Sequence, residues 1–280
     1  MNLKKRAGAL NKKLLIGAII FFVILIVSFV YPSFSKRDPL EMEGMMFEPP
    51  SSLYPLGTDN FGRDVLTELI FGTKTSITIG FIAGIIATLI GTTIGVFAGY
   101  CGGNADNVLN TITNIFLVIP PILILIVISV SIQSRSILIM SLILGITSWP
   151  WTARAIRAQA QSLRNREHIK MAKLNGESLA EIIVFEILPY LASYIVMAFI
   201  LQVSTGILNE AAMSMLGLGP TDTVSLGTML EWALLFESAR IGAWWAFIPP
   251  ALAITMITFS LYLANSGMDE IVNPRLRGVV

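Results

Sequence analysis

Six stretches of this chain run without a charged residue: 14–35, 75–105, 107–134, 136–153, 187–209 and 241–268. A helix needs about 20 apolar residues, at 1.5 Å rise each, to cross ~30 Å of hydrocarbon. Each stretch holds one such helix, and none comfortably holds two. The fourth is the shortest, and Arg154 extends it by reaching towards the headgroups. With 54% hydrophobic and 13% charged residues and a mean hydropathy of +0.74, the whole chain agrees. The expectation is an all-α integral membrane protein with six transmembrane helices. The first lies within 14–35; the others lie near 76–100, 108–131, 137–157, 188–209 and 244–266. Residues 1–54 then form an N-terminal tail, the first span and the start of an outer segment, and 55–74 an extracytoplasmic lead-in. Residues 75–268 form a five-helix core and 269–280 a C-terminal tail.

Net charge, +1, says nothing about partners, but placement of the basic residues does. One set of segments holds Lys4, Lys5, Arg6, Lys12, Lys13, Arg154, Arg157, Arg164, Arg166, Lys170, Lys173, Arg275 and Arg277. The other holds only Lys36, Arg37, Arg63, Lys74, Arg135 and Arg240. The positive-inside rule therefore puts both termini in the cytoplasm. The first apolar run is too long for a signal peptide's core, and no A-x-A-like site follows it, so it reads as a retained span. Single Cys101 excludes an intrachain disulfide framework, and lone His168 argues against a metal site.

Between the fourth and fifth runs lies a polar stretch, residues 162–189, reading SLRNREHIKMAKLNGESLAEIIVFEILP. Neither Gly nor Pro interrupts residues 167–175, so a short helix is expected there, closed by Gly176 as a C-terminal cap. Outside the bilayer, such a helix could dock into a groove on a soluble partner. The competing reading is a solvated loop that only fixes topology.

Residues 64–71 carry Val65, Leu66, Leu69 and Ile70 on one side, an amphipathic helix leading into the second span. Gly72-Thr73-Lys74-Thr75 lacks the glycine before its Lys and the lead-in of a phosphate loop, so ATP is not bound that way. Gly80 and Gly84, and then Gly91, Gly95 and Gly99, lie four residues apart within each group, a stripe for close helix packing within this subunit or, alternatively, against another. Asn107, Asn110 and Asn114 share a helical face; they cap and hydrogen-bond between helices, or line an inner gate. Pro120-Pro121 kinks the third span midway. Trp149 and Trp151 fit an interfacial belt. Gln202, Ser204 and Thr205 are interhelical glue or face a translocation path, and Glu210 is expected at the outer interface. A short helix is expected over residues 228–236. No charged residue lies in the middle of a span, which argues against a proton- or sodium-coupled carrier.

Two blocks carry a resemblance. Residues 55–66, PLGTDNFGRDVL, match throughout the P-L-G-T-D-x-x-G-R-D-[VL]-L pattern of the dipeptide, oligopeptide and nickel importer permeases. Residues 170–189 resemble the loop pattern E-A-A-x-x-x-G, nine residues, I-x-L-P of binding-protein-dependent ABC importer permeases. Ala172, Gly176, Leu188 and Pro189 match; Lys170, Met171 and Glu186 depart from it. Ala98-Gly99-Tyr100 with Gly102-Gly103, Ser214-Met215-Leu216-Gly217-Leu218-Gly219 and Asn273-Pro274-Arg275-Leu276-Arg277 agree with the same group, although Asn273 stands where Asp is usual. Leu226 stands where the group tends to have Trp. The separate N-terminal span makes the match one to the "C" member of the permease pair.

The resemblance implies a type I ABC importer transmembrane fold in a bacterial or archaeal cytoplasmic membrane. Its cytoplasmic coupling helix lies between spans four and five. It implies a non-catalytic subunit passing peptides, or else oligosaccharides or nickel. The partners implied are a homologous permease in a heterodimer, two ABC ATPase subunits that hold ATP and Mg, and an extracytoplasmic solute-binding protein; no nucleic acid is involved. Glu167, Lys170, Met171, Ala172, Lys173 and Gly176 are then the candidate docking residues. Asn110, Asn114, Gln202 and Ser204 are the candidate pathway lining. This chain itself holds no cofactor and no metal in that reading. A stand-alone carrier or channel, or a membrane scaffold, are the readings from other classes.

Overall fold

The computed structural model describes residues 11–35, 37–132 and 134–272, and its only β feature there is an isolated bridge between Thr58 and Asp64. All other regular structure is helix, which satisfies backbone polar groups where no water can. The basic residues Lys4, Lys5 and Arg6, Lys36, and the block 273–277 lie outside the described residues.

Helix α1, Lys12–Phe34, starts at Asn11, whose side chain accepts from the Lys13 N–H. Helix α2, Val65–Cys101, is 37 residues long, ~55 Å at 1.5 Å per residue, and so extends beyond the hydrocarbon. The amphipathic helix expected over 64–71 is the first two turns of α2 itself, with Asp64 as its N-cap. Gly102, at φ +67°, and Gly103, at φ +58°, reverse the chain into α3, Gly103–Val118.

The third span is not one kinked helix. It breaks into α3 and α4, Pro121–Ser131, which are bent by 85°. The residue before each proline is held out of the helical region, and Ile119 and Pro120 are both extended (ψ 126° and 123°). Two successive prolines thus turn a kink into a break. Then come α5, Ile137–Leu163, α6, Glu167–Leu174, and the single turn α7, Leu179–Glu181. A wide π-helical stretch, Ile182–Ile187, leads into α8, Leu188–Met213, and a turn kinked at Gly217 (φ +76°), Ser214–Leu218, follows it. Pro189 cannot donate to the preceding turn, and the wide stretch immediately before it accommodates that loss. The last helices are α9, Leu226–Leu235, the short helix expected near 228–236, and α10, Trp244–Val272. Five helices are long and apolar enough to cross a membrane alone, and the bent α3–α4 pair makes a sixth when counted as one span.

Helix α2 is the axis of the bundle. A Cβ on Gly80 would lie 2.9 Å from the Val203 carbonyl of α8, and one on Gly84 3.0 Å from the Val203 nitrogen. Further along, Cβ atoms on Gly91, Gly95 and Gly99 would come within 2.6–2.8 Å of the carbonyls of Trp149, Ala153 and Arg157 on α5. The glycine stripe therefore meets helices of the same chain, first α8 and then α5. Helix α1 packs on α10 by the same means, since Gly17 abuts Ser260 and Ala264 and Gly267 abuts Leu14. Asn11 donates to Glu270 Oε2 at 2.6 Å, and Lys13 pairs with Glu270 at 2.6 Å, so α1 begins where α10 ends, on one side.

On the other side, the signature block 55–66 folds into a cap on the bundle. Asp59 Oδ1 accepts from the N–H groups of Phe61 and Arg63 at 2.8 Å each, closing a tight turn. Trp245 Nε1 donates to the Thr58 carbonyl, and Arg37 pairs with Asp64 at 2.9 Å. The Arg63 guanidinium lies 4.4 Å from the Phe61 ring centre and 4.7 Å from that of Trp232 on α9. The residues that make the block recognisable thus tie the outer segment to α2, α9 and α10.

Because the Gly95 site is closed by backbone, Gly95→Ala is expected to cost about 1–3 kcal/mol by overpacking. Thr93→Ala, on the exposed face of the same turn, should change little. Thermal unfolding of the two purified variants in detergent checks the difference.

Candidate functional site

Helix α6 stands outside the bundle yet belongs to its core. Ile169 and Ala172, three apart and so on one face, are 0% and 3% exposed. They join Val96 and Tyr100 of α2, Ile156, Ala160 and Leu163 of α5, Ile182 and Ile187 of the π stretch, and Leu191 of α8 in one apolar cluster. Burying the Ile169 side chain alone is worth roughly 1.5–3 kcal/mol, enough to hold so short a helix in one orientation. His168 stacks on Tyr190 of α8, ring centres 4.6 Å apart, and the Lys173 ammonium lies 4.9 Å from the Tyr100 ring centre.

Both ends of α6 suit a short helix in water. Glu167 occupies the first turn and Lys173 the last, each complementing the helix dipole. Gly176, at φ +82°, takes the left-handed position after the helix. The Gly176 N–H donates to Lys173 and the Glu177 N–H to Ala172, the paired bonds of a Schellman cap. Ser178 and Glu181 then form a reciprocal capping box that starts the next turn.

The candidate docking residues divide over two faces. Glu167, Lys170, Met171, Lys173 and Gly176 are exposed, with Met171 at 57%. Ala172 is the exception. Its side chain is buried in the protein's own core. Leu174, an apolar residue of the same stretch outside the candidate docking set, is 81% exposed and completes the outward apolar surface with Met171. The helical period from buried Ile169 was the available signal: 169 and 172 face one way, 171 and 174 the other.

The helices that hold α6 are braced by ions. Asp106 in the first turn of α3 accepts from Arg157 Nε at 2.5 Å and Nη2 at 2.7 Å, and from Gln161 at 3.2 Å, tying α3 to the second half of α5. Asn114 accepts from Arg154 at 2.8 Å, a second brace between the same two helices. Asn110 is half-buried on α3.

Of the candidate pathway residues, Gln202 borders a cavity, and it is also glue. Its Nε2 donates to the Ser148 carbonyl at 2.9 Å and to Thr152 Oγ1 at 2.8 Å on α5. Ser204 is wholly buried. Glu210, expected at the outer interface, is also wholly buried. It accepts from Ser76 of α2 and Ser214 beyond α8, at 2.7 Å each, while Ser76 Oγ accepts from the Leu226 N–H that opens α9. One carboxylate thus joins α2, α8 and α9. The i, i+4 spacing of Glu210 and Ser214 was the sequence signal for this junction. On the same side Arg135 Nη1 donates to the Gly217 carbonyl, fixing the loop before α5 to the kinked turn after α8. Among the described residues no group of three His, Cys, Asp or Glu could hold a metal ion.

Apolar helices sewn together along small-residue seams, carrying a polar helix outside them, define a membrane-embedded transport permease of the type I ABC importer fold. The fold is similar to that of the MetNI methionine ABC transporter in its inward-facing conformations, with TM-score 0.56 and 21% identity over 74% of this chain and 95% of that one. The chain belongs to the family of binding-protein-dependent transport system inner membrane components, which it matches over residues 91–278. It is similar to the dipeptide transport system permease protein DppC of Haemophilus influenzae, 30% identical over 95% of this chain and 92% of the relative. It is equally similar to the oligopeptide transport system permease protein OppC of Bacillus subtilis, 30% identical over 95% and 87%. As a permease subunit the chain is not an enzyme; ATP hydrolysis falls to a partner ATPase.

Replacing Glu210 by Leu leaves the hydroxyls of Ser76 and Ser214 without their acceptor. A loss of about 1–3 kcal/mol is expected, read as a fall in melting temperature, with Glu210→Gln losing less because an amide oxygen still accepts.

Proposed function

We propose that this chain forms one half of the translocation pathway of an ATP-driven importer of peptides. Its partners are a homologous permease, two ABC ATPase subunits and an extracytoplasmic solute-binding protein, and ATP with Mg resides on the ATPases. The names of the relatives support peptide cargo; the placement of α6 carries the mechanism. Both termini and α6 lie in the cytoplasm, a reading supported by the concentration of Lys and Arg in those segments.

A permease that binds no nucleotide must receive movement from its ATPase through a rigid contact. Helix α6 presents Lys170, Met171 and Leu174 outward, while Ile169 and Ala172 lock it to α5 and α8. Closure of the ATPases on nucleotide would displace α6, and the shared apolar cluster and the His168–Tyr190 stack would carry α5 and α8 with it. The charges of Glu167, Lys170 and Lys173 would set the register of docking.

The test places a cysteine at Met171, the outward position, in a Cys101→Ser background and pairs it with cysteines on the ATPase surface. A crosslink whose yield changes with ATP is expected. Labelling of that cysteine by an impermeant thiol reagent from outside intact cells would invert the topology and overturn the mechanism. Uptake of labelled di- and oligopeptides, against oligosaccharides and nickel, by the complete importer checks the cargo.

A further inference from the structure

The outer half of α1 leaves a gap beside α2. A groove of ≈ 200 Å³ runs there, walled by Val23, Ile24 and Val27 of α1, Leu69 and Ile70 of α2 and Ala253 of α10. No charged side chain lines it. The Ser28 hydroxyl, which does, is spent on the Leu25 carbonyl of its own helix. Val23 and Val27 are half exposed, so the groove opens sideways, away from the bundle. A helix, about 10 Å across with its side chains, does not enter so small a space. A single hydrocarbon chain does.

One cation stands at this groove. The Lys74 ammonium lies 5.7 Å from the centre of the Phe29 ring on α1. Among the described residues no carboxylate forms an ion pair with it. Lys74 follows Thr73, another lining residue, and its side chain leans toward the start of α2, the direction of Ile70. Its level in the bundle suits a lipid headgroup. Helix α1 has 23 residues, ~35 Å, little more than the ~30 Å of hydrocarbon, so its end at Phe34 marks the membrane surface. Phe29 lies about 7.5 Å inside that end. A lysine here reaches for the interface, where lipid phosphates supply the anions. From Phe29, Val27 and Val23 continue inward for about 9 Å, the direction an acyl chain takes from its headgroup.

We infer that the groove holds one acyl chain of a phospholipid and that Lys74 pairs with the phosphate of that lipid. In the proposed topology the lipid belongs to the outer leaflet. Its chain fills the gap between α1 and α2, and its phosphate gives Lys74 a counter-charge that no described residue supplies. The first span is then held on one side by its glycine contacts with α10 and on the other by lipid.

The experiment uses the complete importer in phosphatidylcholine nanodiscs that contain a small fraction of phosphatidylglycerol with a diazirine midway along one chain. A parallel sample contains diacylglycerol with the same chain and no phosphate. After illumination, adducts on this chain are mapped by mass spectrometry and scaled to those on the exposed face of α10, at Leu252 and Met256. At residues 23–27 and 69–73, phosphatidylglycerol is expected to give about fivefold more adducts than diacylglycerol, the worth of one lysine beside a lipid phosphate. Lys74→Ala, which breaks no ion pair among the described residues, should bring the two probes to equal yield there. Val27→Trp, filling the groove from its open side, should remove adducts at 69–73. Equal yields from the two probes in the wild type, a preference that survives Lys74→Ala, or adducts undiminished by Val27→Trp would each overturn the inference. Soluble glycerophosphate in excess should change nothing; if it abolished the preference, the site would be one for free phosphate and not for a lipid.

Discussion

The close approach of helix backbones along α2 is the constraint on which the rest depends. Inside a bilayer, lipid tails are as apolar as leucine, so helices do not associate to escape water. They associate where shape allows dense contact. The glycines from Gly80 to Gly99 remove side chains along a line that meets α8 first and α5 afterwards. Because one helix contacts both, α2 fixes how α5 and α8 lie relative to each other. The same two helices carry α6 at their cytoplasmic ends, in the proposed topology, and the cavity at mid-depth.

Polar bonding is concentrated at the two ends of the bundle. At one end Asp106, Arg157 and Gln161 brace α3 to α5, and Glu270 holds Asn11 and Lys13. At the other, Glu210 joins α2, α8 and α9, and the cap around Arg63 and Asp64 closes on α9 and α10. Between these layers the contacts are apolar or neutral. No ion pair therefore has to be separated in the middle layer for the proposed movement of α5 and α8.

The spans, the short helix α6 and its glycine cap were legible because each rests on a local rule: run length, an uninterrupted polar helix, a left-handed C-terminal residue. The outer helix α9 was legible for the same reason. What escaped depended on direction. In a helix that is apolar all round, periodicity no longer tells inside from outside, so Ser204 and Thr205 looked alike although one is buried and the other borders the cavity. Ala172 matched a family pattern, and pattern carries no information about facing. The break at Pro120-Pro121 was visible as a disturbance, but its angle of 85° depends on how α4 packs against α5 and α8, which no local rule contains.

Helix α8 shows how these features act together. It is 26 residues of helix with an interruption at each end, the π-helical stretch Ile182–Ile187 and the turn Ser214–Leu218 kinked at Gly217. Such stretches interrupt the regular hydrogen-bond ladder and commonly sit at functional positions. The first joins α8 to α6 through the shared cluster; the second carries Ser214 on Glu210 and Gly217 on Arg135. In the proposed importer, movement received at α6 therefore enters a stiff rod whose far end is fastened to the outer layer. The rod's middle holds Gln202, Thr205 and Asn209 against the cavity, so a tilt of α8 must change that wall as it changes the outer contacts. Coupling in this arrangement requires no chain of side-chain rearrangements through the membrane, only that one helix stay straight between its two interrupted ends.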